Sequence, residues 1–147
     1  MKNIVLLSKN YEQYSSGYYH QDIVNSFKIN SNCYIYGPGY IDYDKNDKIH
    51  DVIYKSPFDM NKVDLIVTST SWDDDTSEDN VDPHPGISLK SIFIKKIYFL
   101  NKEYKKLDAR FKYIQDNKFD YVCTVHPDAK IWEKQLGIQF IYLPFGI

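Results

Sequence analysis

KIYFLNKEYKKLDARFKYIQDNKFDYVCTVHPDAKIWEKQLGIQFIYLPFGI, residues 96–147, alternates short apolar runs with polar segments of helix length. Parallel strands need long crossover connections, usually helical, so this alternation predicts an α/β chain with strands at Lys96–Leu100, Tyr121–Val125 and from Ile138 onward. The first crossover carries Leu107, Phe111 and Ile114 at spacings of four and three, which predicts a helix over Lys105–Asn117 with a core-facing stripe. In the second, His126-Pro127 follows the strand directly, and proline in a first helical turn loses no hydrogen bond. Gly137 suits a left-handed helix stop. The closing IQFIYLPFGI alternates little and is ended by Pro144, as expected of a strand buried on both faces.

Toward the N-terminus the same grammar repeats. Asn3–Leu7 (NIVLL) reads as a central parallel strand. A Ser-rich loop with Gly17 follows, then a segment Tyr18–Ile29 whose Tyr19, Ile23, Val24 and Phe27 share one helical stripe. Asn32–Tyr36 (NCYIY) is a second strand, ended by the turn Gly37-Pro38-Gly39-Tyr40, where proline fixes φ and glycine permits positive φ. That turn is either a plain strand stop or a place where backbone meets a ligand. Asp51–Tyr54 reads as a short strand, Lys62–Ser69 as a buried one, and Ile87–Ile94 as a short helix. The fold class is therefore α/β, a Rossmann-like, mostly parallel sheet of six or seven strands with helices on both faces, in a single domain.

In such a sheet the carboxyl ends of all strands share one rim, where ligands bind. The rim residues are Ser8, Gly17, Tyr18, His20, Gly37, Gly39, Trp72, Asn101, Lys102, Glu103 and His126, a mixture suited to hydroxyl-rich ligands and to proton transfer. For His126 a capping role at a helix start competes with a cleft role. The dinucleotide fingerprint G-x-G-x-x-G is absent, as is the nucleophile elbow G-x-S-x-G. No pair of His or Cys has zinc spacing. A signalling receiver is disfavoured because Ser8-Lys9, not an acidic cluster, follows the first strand.

The segment STSWDDDTSEDNVDPHPG between residues 69 and 86 concentrates Asp73, Asp74, Asp75, Glu78, Asp79 and Asp82. A solvated loop is its plainest reading, since like charges repel and Pro, Gly and Asp bar regular structure. Two sharper readings stay open: an oxygen-only cation site for Mg²⁺, Mn²⁺ or Ca²⁺, and the D-x-D of Asp73 and Asp75, which resembles the motif by which metal-dependent GT-A glycosyltransferases hold a nucleotide-sugar diphosphate through Mn²⁺.

A net charge of −2 supplies no basic face for a row of phosphates, so nucleic acid is not an expected partner. Tyrosine is abundant, with 14 residues, yet shares its excess with Asn, Lys and Ile, which points to compositional bias before ligand stacking. Cys33 and Cys123 sit inside apolar runs and read as free thiols of a cytoplasmic protein. The apolar core of MKNIVLLSKN is too short for a signal peptide or a membrane span.

In chain order, YGPGY, DLIVTS, the acidic loop, FLNKEY, VHPDA and LPFG resemble nearly the whole N-terminal domain of GT-B glycosyltransferases, especially the group 1, CgeB-like kind. The resemblance implies an acceptor-side domain of an enzyme that moves a sugar from a nucleotide-sugar to a glycan or other hydroxyl. A C-terminal donor-binding domain or partner chain would close over the rim. It implies catalytic roles for Glu103 and His126. The acceptor would be held by Ser8, Gly17, Tyr18, His20, Gly37, Gly39, Trp72, Asn101 and Lys102. No cofactor is expected, the nucleotide-sugar being a substrate, and a metal enters only in the Asp73/Asp75 alternative. Asn101, Lys102 and Glu103 stand where many retaining members carry a cleft histidine. The competing reading is a stand-alone Rossmann-like module that binds a nucleotide or sugar without chemistry.

Overall fold

The computed structural model describes residues 1–10, 12, 18–68, 86–100 and 106–143, of which residues 18–20 are described by backbone alone. Its elements are β1 (Asn3–Leu7), α1 (Tyr18–Asn30), β2 (Asn32–Tyr36), α2 (Ile49–Lys55), β3 (Leu65–Thr68), β4 (Lys95–Leu100), α3 (Leu107–Asp116), β5 (Tyr121–Thr124), α4 (Ala129–Leu136) and β6 (Gln139–Tyr142). The strands form one sheet of order β2-β1-β3-β4-β5-β6. Every neighbouring pair is parallel, with Leu7 level with Tyr36 on one side and Thr68 on the other. The chain steps from β1 outward to β2, then crosses back past β1 to β3. That reversal makes the β1–β3 boundary the switch point of the sheet.

Right-handed crossovers put helices made before and after such a reversal on opposite faces. On one face Val24 of α1, with the half-buried Phe27, packs on Ile4, Leu6 and Val67. The other face is the larger core, where α2, α3 and α4 cover Val5, Leu7, Ile66, Tyr98, Val122 and Phe140. Aromatic edges interlock there: Tyr98 meets Phe119 at 5.4 Å between ring centres, and Phe111 meets Trp132 at 5.6 Å.

The amino-terminal ends of the strands are fastened by polar side chains. Asp64 accepts the Asn3 amide at 2.8 Å, and Asn3 Nδ2 donates to the Lys62 carbonyl at 2.9 Å. Asn32 Nδ2 donates to Asn3 Oδ1 at 3.0 Å. Farther along the sheet, the buried Lys96 donates through Nζ to the Asn117 carbonyl at 3.0 Å, while Asp120 accepts the Lys96 amide at 2.9 Å. Burial lowers the pKa of Lys96.

Three expectations are corrected. Residues 51–54 are helical, not extended: Asp51 reaches back to accept the Lys48 amide, and Ile49, Val52 and Ile53 bury one face. Residues 87–94 form no helix, because their backbone groups are taken by side chains of α3 and its C-terminal turn. Asn117 Oδ1 accepts the Leu89 amide at 2.6 Å, and the Tyr113 hydroxyl donates to the Ile87 carbonyl at 2.9 Å. The last strand is an edge strand with Phe140 as its single buried residue, not a strand buried on both faces. Its Phe140 amide donates to Glu133 of α4 at 2.9 Å, so a helix side chain serves an edge amide that ladder bonds leave open.

Cys33 and Cys123 are both free, four strand steps apart in the sheet, and burial pushes each thiol up to about 11. Among the described residues no helix is long and apolar enough to cross a membrane.

Candidate functional site

The carboxyl ends of the parallel strands form a single lip running from Gly37 beyond β2 to Leu143 beyond β6. At its β2–β1 end the backbones are fused. The Ser8 amide donates to the Tyr36 carbonyl at 3.0 Å, extending the ladder by one rung, and the Asn10 amide donates to the Pro38 carbonyl at 2.9 Å. Gly37 is required by this approach, since a Cβ there would stand 2.0 Å from the Ser8 carbonyl oxygen. Gly39 has φ +88°, and the Tyr40 amide donates to the Gly37 carbonyl at 3.0 Å, closing a type II turn.

Two predicted ligand residues take part in this geometry. Ser8 is fully buried and its hydroxyl donates to the Lys9 carbonyl at 3.0 Å, so it braces the loop. Gly37 gives its open side to Ser8. Below the turn, the buried Tyr36 hydroxyl donates to Asp47 and accepts the Asp44 amide at 3.1 Å. Lys55 pairs with Asp47 and donates to the Asp42 carbonyl at 3.0 Å, tying residues 42–47 to β2 and α2. Burial and the hydrogen bond to Asp47 raise the Tyr36 pKa, while Lys55, then Tyr36, lower that of Asp47. Tyr40 is pushed up to about 12 by burial, with Glu12 adding to it.

At the switch point, Thr68 ends β3 beside Leu7. It is fully buried, and among the described residues its hydroxyl has no hydrogen-bond partner. An unpaired buried hydroxyl costs about 1–3 kcal/mol. It stands where doubly wound sheets take their ligands.

His126 follows β5, three strand steps from β1, or roughly 14 Å at ~4.8 Å per step. It therefore shares the lip with Ser8 and Gly37 without touching them. The buried Thr124 hydroxyl accepts the His126 amide at 3.2 Å. The imidazole stacks on Trp132 with ring centres 4.7 Å apart and planes 27° from parallel. Trp132 is itself wedged against Phe111 and Phe140. The Nδ1 of His126 accepts the Asp128 amide at 3.1 Å, but the helix N-cap is Asp128 and the helix begins at Ala129, so the expected cap or first-turn placing of His126 and Pro127 is corrected: both precede the helix.

Tyr18 and His20 lie in the first turn of α1, with only their backbone described. Gly17, Trp72, Asp73, Asp75, Asn101, Lys102 and Glu103 lie outside the described residues. Among the described residues no group of three or more His, Cys, Asp or Glu could hold a metal ion.

Sequence reasoning passed over Thr68, the aromatic bed under His126, and Arg110, which is 1% exposed on α3. Trp132 was legible: it lies three residues after Ala129 on the stripe of a predicted helix. An apolar groove lined by Lys2, Met60, Val63, Leu65, Phe93 and Ile97 lies at the amino-terminal end of the strands, away from the lip. Compared with known proteins, the chain matches no family model, no curated protein and no solved structure.

Proposed function

We propose that this chain is the acceptor-side domain of a GT-B-type glycosyltransferase, holding a hydroxyl-bearing acceptor at its lip for a sugar delivered from a nucleotide-sugar. The observation that carries the reading is the fully buried Thr68 hydroxyl, unpaired among the described residues, at the β1–β3 switch point of an all-parallel sheet. A polar atom left unpaired at the ligand corner of this architecture is explained by a ligand that pairs it. The order of YGPGY, FLNKEY, VHPDA and LPFG supports the narrower class. Donor binding belongs to a second domain or partner chain, and chemistry depends on both halves positioning the reactants.

The test is calorimetry of the chain against a glycan panel and against free nucleotides. Glycan binding that Thr68→Val weakens, with nucleotide binding weak or absent, supports an acceptor domain. Tight nucleotide binding favours the stand-alone binding module instead. Enzyme-like turnover of a nucleotide-sugar by this chain alone overturns the acceptor-side reading.

A further inference from the structure

We infer that His126 meets its ligand as a hydrogen-bond donor through Nε2, and is not the base that deprotonates an acceptor hydroxyl. A backbone N–H can donate only to a lone pair. The bond from the Asp128 amide therefore places a lone pair on Nδ1, and the neutral ring carries its proton on Nε2. The Asp128 carboxylate stands 3.8 Å from Nδ1, too far to compete for that position as a hydrogen bond.

The ring has little freedom to reverse this. One face lies on Trp132, and the backbone of the loop is held by Thr124. A ring flip would remove the acceptor from the Asp128 amide. The side chain is 36% exposed. With Nδ1 engaged and one face covered, the edge left to meet a ligand is Nε2. Among the described residues no group accepts from Nε2.

What fits an aromatic-backed N–H at the lip is an oxygen that accepts and need not lose a proton. Sugar hydroxyl or ring oxygens qualify, and so does a phosphate oxygen. This inference uses the lip of the proposed function to name the ligand group. The tautomer itself does not depend on that reading.

The experiment is two-bond nitrogen–proton correlation NMR on the whole chain at neutral pH, first free, then with methyl α-glucoside and separately with inorganic phosphate. The expected spectrum has a pyridine-like Nδ1 and a pyrrole-like Nε2, and the Nε2 proton moves on adding at least one probe. His126→Asn, whose side-chain oxygen can still accept the Asp128 amide, should melt with wild type yet bind that probe roughly tenfold more weakly, as expected for one lost hydrogen bond. His126→Gln should recover part of the loss. A response to the glucoside supports the acceptor-side reading. A response to phosphate alone keeps the donor role of His126 and counts against that reading. A proton on Nδ1, or an Nε2 that neither probe moves, overturns the inference.

Discussion

Gly37 lies so close to Ser8 that a single added carbon would sit 2.0 Å from the Ser8 carbonyl oxygen. The obstacle is backbone, which cannot swing aside as a side chain would. Gly37→Ala is expected to cost roughly 2–4 kcal/mol by urea denaturation, at the upper end of single substitutions. Gly137→Ala is the control. Its Cβ would meet nothing within 4 Å, although φ is +68°, so only the left-handed penalty of about 1–2 kcal/mol applies. Equal costs for the two changes would show that crowding at Ser8 is relieved cheaply.

Tyr36→Phe removes a fully buried hydroxyl that joins the Asp44 amide, the Asp44 carbonyl and Asp47. The partners left behind are expected to cost about 1–3 kcal/mol. Hydrogen exchange at residues 42–47 should quicken while that in β4 and β5 stays as in wild type. Uniform quickening would mean that Tyr36 supports the sheet and not the loop.

The Asp47 carboxyl is held below its ordinary range by Lys55 first and Tyr36 second. A carboxyl whose folded pKa is depressed stabilises the fold above its unfolded value, about 3.9, and loses that contribution as pH falls through the folded value. Asp47→Asn should therefore flatten the acid limb of a stability–pH profile below about pH 4. An acid limb unchanged by the substitution would remove Asp47 as a source of acid sensitivity.

The folded pKa of Lys96 is lowered too, but by burial that penalises its charge rather than by a partner that favours it. Burial lowers its folded pKa, so between that value and the unfolded value of about 10.4 the unfolded chain binds more protons and stability rises with pH. Lys96→Met should abolish that alkaline rise. At neutral pH it trades a lost bond to the Asn117 carbonyl against a buried charge removed, leaving stability within about 1 kcal/mol of wild type. A loss of several kcal/mol would make the hydrogen bond the larger of the two effects.

The all-parallel sheet was legible because buried parallel strands such as NIVLL and LIVT read as unbroken apolar runs, and because Gly137 and the GPG turn punctuate the chain by backbone geometry alone. The two misread segments, 51–54 and 87–94, fail for one shared reason: their conformations are set by polar side chains distant in type from their own apolar pattern. Asp51 caps the start of a helix that the three apolar residues after it conceal, and Asn117, 28 residues from Leu89, holds an amide away from any helix. At the lip, His126 and Gly37 were visible by residue type. Their partners were not, since neither the carbonyl under Gly37 nor the amide on His126 Nδ1 has a side-chain signature.

The ties made by Asn3, Asp64, Lys96 and Asp120 all sit where strands begin. These ties brace the strand starts, at the pole opposite the lip. Loops exchanged at the lip with the Gly37–Ser8 contact kept should leave these ties intact, which makes the sheet a chassis for varied loops.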